Sequence, residues 1–205
     1  MTCGDSSMAE QLAFQLVEGG SIPTSPLHFN IKQINVQAAC DLNAKWHSRL
    51  PKVIAGNIYR NRHYVCYGAE FQGNYFAVGI WSSPVAANRF KNGNNILELR
   101  RLAIAPDAPF NTATRMLKVM RLDIKKRFPN VTRLISYQDT EVHQGTIYKA
   151  AGWILTAVSD GISWSVTGRK RNTDQTTATK VRWEFELRDE IDEIHKQVIE
   201  KLALI

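Results

Sequence analysis

The stretch from Ile135 to Trp153, ISYQDTEVHQGTIYKAAGW, gathers the residues best suited to chemistry. Asp139 follows an apolar run that reads as a strand. A carboxylate in the turn after a strand is placed to accept a proton or orient an amine, and the same position also suits an ordinary turn or capping aspartate. His143 comes four residues beyond Asp139 and two before Gly145. Tyr148 falls in a short helix closed by Gly152, where its hydroxyl can reach a ligand or its ring can pack at the core edge. His47 follows Trp46 at a helix end beside a basic segment, a place where histidine is ordinarily a surface or capping residue. Together, His47, His143 and Asp139 would make a two-histidine, one-carboxylate set of the kind that holds iron. Spacing alone does not supply that geometry, so no metal site is assigned.

Charge points to the partner. The chain carries a formal net charge of +7 over 205 residues, and a basic surplus attracts polyanions through counterion release. Arg49, Lys52, Arg60 and Arg62 fall in one loop region, Arg89 and Lys91 in the next, and Arg169, Lys170 and Arg171 form a run in a third. The cluster, rather than any single member, suggests phosphate contacts and double-stranded DNA; the alternative is a basic protein with no nucleic-acid role. Trp46 and Trp81 adjoin these loops and suit the holding of a base taken out of its stack. Trp153, Trp164 and Trp183 lie on strands and read as core.

Other classes are disfavoured. No run of about 18 apolar residues is present, so no membrane span is expected, and the first twenty residues lack the pattern of a secretory signal. Cys3, Cys40 and Cys66 show no CxxC spacing, which argues against a disulfide framework and for a reducing cytoplasm. Ser48 has no nucleophile elbow, and the signatures of S-adenosylmethionine-dependent DNA methyltransferases are missing.

These residues need elements to hold them. Residues 1–27 read as a leader and linker with a short helix over 8–17, residues 28–188 as one catalytic domain, and residues 189–205 as an amphipathic helix that suits docking on the core or a homodimer contact. Within the domain, strands are expected over 29–36, 64–71, 75–82, 96–105, 132–137, 153–158, 162–166 and 181–187. Helices are expected over 37–46, 111–127 and 145–151, the long one capped by the side chain of Asn111 or Thr112. Gln72-Gly73-Asn74 reads as a hairpin turn. Strand–helix–strand–helix–strand order over 96–158 argues for an α/β fold with a mixed sheet and crossover helices.

Ile147-Tyr148-Lys149-Ala150-Ala151-Gly152-Trp153 resembles the YxxxGF/W signature of GNAT acetyltransferases. In that family the tyrosine commonly protonates the departing CoA thiolate. The set Trp46-His47, Arg49-Leu50-Pro51, Leu97 to Leu102, Ser136 to Asp139 and His143 to Tyr148 is similar to the Mom family over about residues 29–187. These are phage DNA-modification proteins that convert the exocyclic amine of adenine to a carbamoylmethyl form and shield DNA from restriction. The resemblance implies a GNAT-like single domain and a transferase acting on adenine N6 in DNA, located in the cytoplasm (the host cell's, if phage-encoded). Asp139, Tyr148, His47 and His143 would stand at the reaction centre. Arg49, Lys52, Arg60, Arg62, Arg169, Lys170, Arg171 and Trp46 would face DNA.

The sequence departs from the GNAT pattern at the pyrophosphate loop, where Pro109 to Arg115 contains no glycine. The helix start still offers free N–H groups to an anion, so Asn111, Thr112, Thr114 and Arg115 are the expected contacts to acetyl-CoA or a related donor. The alternatives are a CoA-dependent N-acetyltransferase for a protein or small amine, and a non-catalytic DNA-binding module.

Overall fold

A computed structural model describes residues 22–47, 51–85, 95–141, 144–159 and 179–188. Strand β1 (Asn30–Ile34) gives way at once to helix α1 (Val36–Trp46). Asn35 makes the change: its backbone is extended and its side chain accepts the Ala38 N–H at 2.7 Å, pairing a donor the first helical turn leaves open. The strand expected to reach Val36 therefore stops short, because Val36 opens the buried stripe of α1 with Ala39, Cys40 and Asn43. A one-turn helix, α2 (Ala55–Tyr59), forms in the basic segment that reads as loop.

Strands β2 (Tyr64–Phe71) and β3 (Asn74–Ser82) form the expected hairpin. Gln72 and Gly73 both take positive φ, 50° and 83°, the pair of angles that matches the strands' twist. Strand β4 (Ile96–Ile104) pairs with β3, and helix α3 (Thr112–Arg127) crosses over to β5 (Arg133–Asp139), which lies parallel to β4. Helix α4 (Thr146–Ala150), strand β6 (Ile154–Ser159) and strand β7 (Lys180–Glu186) follow, and among the described residues the sheet has seven strands in the order β1-β2-β3-β4-β5-β7-β6.

The sheet divides the core in two. Val78, Ile80 and Ala103 meet α1 and α2 through Val36, Ala39, Cys40 and Ile58. Ala77, Trp81, Leu97, Leu99, Leu134 and Trp183 pack on the other face with Met116, Leu117, Met120 and Ile124 of α3 and with Tyr148 of α4. Gly79 lets α3 lie close, since a Cβ there would sit 2.5 Å from Met120 Sδ. Trp81 is fully buried, donates to that sulfur at 3.1 Å and stacks on Trp153 at 6.3 Å. It is a core residue, and the expectation that it holds a base is withdrawn: β3 carries it under α3, with no exposed face for a base. The helix expected over 8–17, the strand over 162–166 and the C-terminal helix over 190–205 lie outside the described residues.

Candidate functional site

An opening in the sheet organises the site. The parallel ladder between β4 and β5 runs through four pairs and ends at Leu99↔Ser136. Beyond it β4 pairs with β3 alone and β5 with β7 alone, so their carboxyl ends separate, as strand ends do where open α/β sheets take ligands. Helix α3 begins after β4 and returns toward the start of β5, which brings its N-terminus to the same end of the sheet.

Tyr148 meets this opening from the α3 face. Its hydroxyl lies 2.8 Å from Ser136 Oγ, the last ladder residue of β5. Its ring is buried, stacked on Trp183 at 5.4 Å and 14° and edge-on to Trp153 at 5.7 Å. Trp183 is pinned in turn, its Nε1 donating to Gln138 Oε1 at 2.7 Å. Gly145, at φ 72°, makes room for this arrangement: a Cβ there would lie 2.5 Å from Trp183 Cζ2 and 2.6 Å from Gln138 Oε1. Burial raises the phenol's pKa and the Ser136 hydrogen bond opposes that shift. The hydroxyl is thus neutral at physiological pH and able to give a proton.

The start of α3 forms a second part. Asn111 occupies the N-cap position, but its side chain caps nothing; it adopts the left-handed conformation, φ 68° and ψ 5°. That corrects the expected side-chain cap. Asparagine here takes the backbone shape that glycine would otherwise supply, and no side-chain hydrogen bond caps the first turn of α3. Thr112 is buried with Oγ1 donating to the Pro109 carbonyl at 2.6 Å, Thr114 is half-buried, and Arg115 keeps a buried Nε without a hydrogen-bond partner. An uncapped helix start beside an unsatisfied guanidinium nitrogen fits a phosphate-bearing donor. Phe110 stands 88% exposed beside it.

The other face of the opening is charged. In β4 a bulge makes Arg100 the extra residue, since Ile80 pairs with Arg101 and Trp81 with Leu99. Without it, Arg101 would fall on the apolar α3 face; with it, Arg101 shares the α1 face with Ile80. Its guanidinium reaches the Arg100 carbonyl at 2.7 Å and that of Pro51 at 3.3 Å, while its buried Nε has no hydrogen-bond partner. Burial, then the neighbouring Arg100, lower its pKa, against the pull of Glu98. Arg100 reaches Ser82 Oγ at 3.1 Å, and Glu98 Oε2 accepts the Val85 N–H at 3.1 Å.

Asp139 closes β5, and its Oδ1 accepts the Glu141 N–H at 3.0 Å in the turn. Strand alternation puts Tyr137 and Asp139 on the face opposite Ser136 and Gln138. Asp139 and Tyr148 therefore flank the same strand end from opposite faces. His47 caps α1, its N–H bonded to the Asn43 carbonyl at 2.8 Å, and Pro51, four residues on, is the residue Arg101 touches. Lys52, Arg60 and Arg62 are exposed. Trp46 is half-buried and packs against both halves of the core. His143, Arg49, Arg169, Lys170 and Arg171 lie outside the described residues. Among those described, no group of three His, Cys, Asp or Glu side chains is arranged to hold a metal ion, and no helix is long and apolar enough to cross a membrane.

Three residues of this opening escape the sequence reading. Ser136 is detectable as a lone polar residue inside the apolar run of β5. Arg101 is detectable as the second arginine in ILELRRLAIA, where strict alternation would bury one charge. Tyr137 gives no signal, since tyrosine is at home in any strand.

Comparison with known proteins matches this picture. A model of the Mom protein family matches residues 28–203, and no curated protein matches the sequence. Among solved structures, the chain is similar to yncA, a putative acetyltransferase from Salmonella typhimurium with its cofactor acetyl-CoA, at 10% identity and a TM-score of 0.59, covering 80% of this chain and 96% of that one. It is similar to the ribosomal-protein-S18-alanine N-acetyltransferase from Escherichia coli at 13% identity and 0.55, covering 78% and 95%. An acetyltransferase of the GNAT family from Streptococcus pneumoniae matches at 9% identity and 0.55, covering 77% and 98%. At these identities the likeness is one of fold.

Proposed function

The chain belongs to the Mom protein family and has the GNAT acetyltransferase fold, and from that premise we propose that it is a transferase modifying the N6 amine of adenine in double-stranded DNA. The observation that carries this reading is the buried Ser136–Tyr148 hydroxyl pair, 2.8 Å apart, at the point where β4 and β5 separate. A proton donor held there by stacked aromatic rings can serve a leaving group on the α3 face, while Asp139 serves the incoming amine from the other, with His47 and His143 as further candidate bases.

Acetyl-CoA or a related donor, bound by Asn111, Thr112, Thr114 and Arg115, would supply an activated carbon. The amine is a weak nucleophile until it sheds a proton, and Asp139 is the carboxylate at the strand end suited to accept it. Tyr148 would give its proton to the group that leaves the donor, a thiolate where the donor is a thioester, in which case the N6–C bond forms at the carbonyl carbon as the C–S bond breaks. Exposed Lys52, Arg60 and Arg62 lie on the segment that begins at Pro51, whose carbonyl Arg101 touches, and with Arg49 and Arg169 to Arg171 they suit phosphate contacts that position DNA without reading its sequence.

Expression in a bacterium, digestion of its DNA to nucleosides and mass spectrometry test the reading. A carbamoylmethyl adduct on deoxyadenosine is the expected product. Its N6–CH2 bond and extra nitrogen cannot come from attack on a thioester carbonyl, so that product would assign the activated carbon to a donor of another class and leave Tyr148 to protonate whatever group departs from it. An N6-acetyl adduct would identify simple acyl transfer. Unmodified deoxyadenosine alongside acetylation of a protein or small amine would favour an ordinary acetyltransferase, the reading supported by the acetyl-CoA in the Salmonella relative.

A further inference from the structure

Tyr137 follows Ser136 and therefore stands immediately past the last β4–β5 pair, on the face away from Tyr148. Its side chain is 38% exposed, as is that of Tyr64 on β2, three strands away, whereas Tyr67, Trp81, Tyr148, Trp153 and Trp183 are buried. Among the described residues, α1 packs on this face against β2, β3 and β4, and Tyr137 on β5 lies next to that covered half. Its cross-strand neighbour is Arg182. That guanidinium is fixed: Nε is 2.6 Å from Glu184 Oε1 and donates to Thr156 Oγ1 at 3.1 Å. Arg133 Nη1 lies 3.5 Å from Glu184 Oε2 and its Nε 2.6 Å from Glu186 Oε1. A flat apolar ring rises from a braced floor of paired charges, at the mouth of the opening.

We propose that Tyr137 is the stacking platform of the acceptor site, holding an extruded purine with its exocyclic amine directed along β5 toward Asp139. This rests on the reading of the protein as a transferase acting on adenine in DNA. Two positions along a strand separate side chains on one face by about 6–7 Å, so a base lying on Tyr137 brings its edge to the Asp139 carboxylate. An enzyme that alters a base amine must take the base from the duplex and hold it against an aromatic or apolar face. Trp81 is unavailable for this, being inside the core, and Trp46 packs against both core halves. The paired charges around Tyr137 supply polar edges for the base without competing for its faces.

The test uses the full chain with Tyr137→Phe, Tyr137→Leu and Tyr137→Ala. Each variant is scored for modified deoxyadenosine in cellular DNA. In parallel, without donor, each is scored for quenching of 2-aminopurine placed at an adenine position of a duplex and for salt-dependent duplex affinity. Stacking on an aromatic side chain contributes about 1–3 kcal/mol per base, so Tyr137→Leu and Tyr137→Ala should lose modification by roughly 10- to 100-fold and lose the quench. Tyr137→Phe should keep both, and duplex affinity and Tm should stay near wild type in all three. Equal loss in Tyr137→Phe would show that the hydroxyl and not the ring matters, and would overturn the proposal. Wild-type modification in Tyr137→Leu and Tyr137→Ala would overturn it too while leaving the transferase reading intact. An unmodified wild-type culture with an intact, ring-dependent quench would sink the transferase reading and support the platform.

Discussion

The two faces of β5 meet opposite surroundings although their residues alternate one by one. Leu134, Ser136 and Gln138 look into a dry aromatic bed in which Tyr148, Trp153 and Trp183 hold one another. Tyr137 and Asp139 look out onto a charged surface ordered by Arg133, Arg182, Glu184 and Glu186. The closed face can fix a single hydroxyl within the tolerance that proton transfer demands. The open face leaves Tyr137 exposed and Asp139 half-buried, as the proposed DNA acceptor would require. Released by β4 at Ser136, β5 stands between the proposed donor and acceptor sides, and the gap beside it is where the two would have to come into contact.

The largest effect should come from the closed face. Tyr148→Phe keeps the stack and removes the proton, so turnover should fall by about 10²–10⁴-fold with Tm changed by only a few degrees, read by nucleoside quantification and calorimetry. A comparable loss of folding would instead make the closed face a purely structural element. Next is Gly145→Ala, which forces a Cβ against Trp183 and Gln138 at positive φ. Left-handed strain and overpacking together cost about 2–4 kcal/mol, or a Tm roughly 5–10 °C lower, and activity should fall with the displaced Trp183–Tyr148 stack. An unshifted Tm would show that the bed is loose.

On the open face, Arg101→Lys loses the forked contact with the Arg100 and Pro51 carbonyls. Charge-assisted hydrogen bonds of this kind suggest about a tenfold rise in KM for DNA, with kcat held and the donor's KM unchanged; a change in the donor's KM instead would place Arg101 on the wrong side of the comparison.

The smallest effect is a slope. Burial, then neighbouring Cys40, push the Cys66 thiol up to about 12 from an ordinary value near 9.0. An unfolded chain loses that proton first, so its contribution to stability is complete below pH 9 and drains away as pH rises toward 12. Cys66→Ala should flatten the fall in unfolding free energy over that window by about 1.4 kcal/mol per pH unit, measured by denaturant titration. Tyr67 and Tyr148, whose burial raises their phenol pKa values, keep the remaining slope above pH 10. An unchanged slope in Cys66→Ala would mean the thiol is reached by solvent.

Much of the scaffold was legible because local physics and tertiary packing agree. The β2–β3 hairpin follows from Gln72-Gly73 between two alternating runs, and α3 from its spacing of Met116, Met120 and Ile124. Tyr148 was legible through its motif. The short α2 was not, since five residues with a glycine carry no helical period, and its burial of Ile58 against α1 decides the matter. A start of α3 open to an anion was legible from the free N–H groups of a first helical turn, but the left-handed Asn111 that stands in for the missing glycine was not.

From its order of amino acids alone this protein was bound to be a basic α/β domain with an exposed polar segment after β5 and a tyrosine in a short helix beside it. Charge, period and turn chemistry are local properties that need no partner to be read. Which side of the sheet each residue serves was decided by the fold. One extra residue in β4 turns Arg101 away from the apolar face, and the end of a four-pair ladder sets where Ser136, Tyr148, Tyr137 and Asp139 meet. Both depend on register between strands far apart in the chain, which no single stretch of sequence contains.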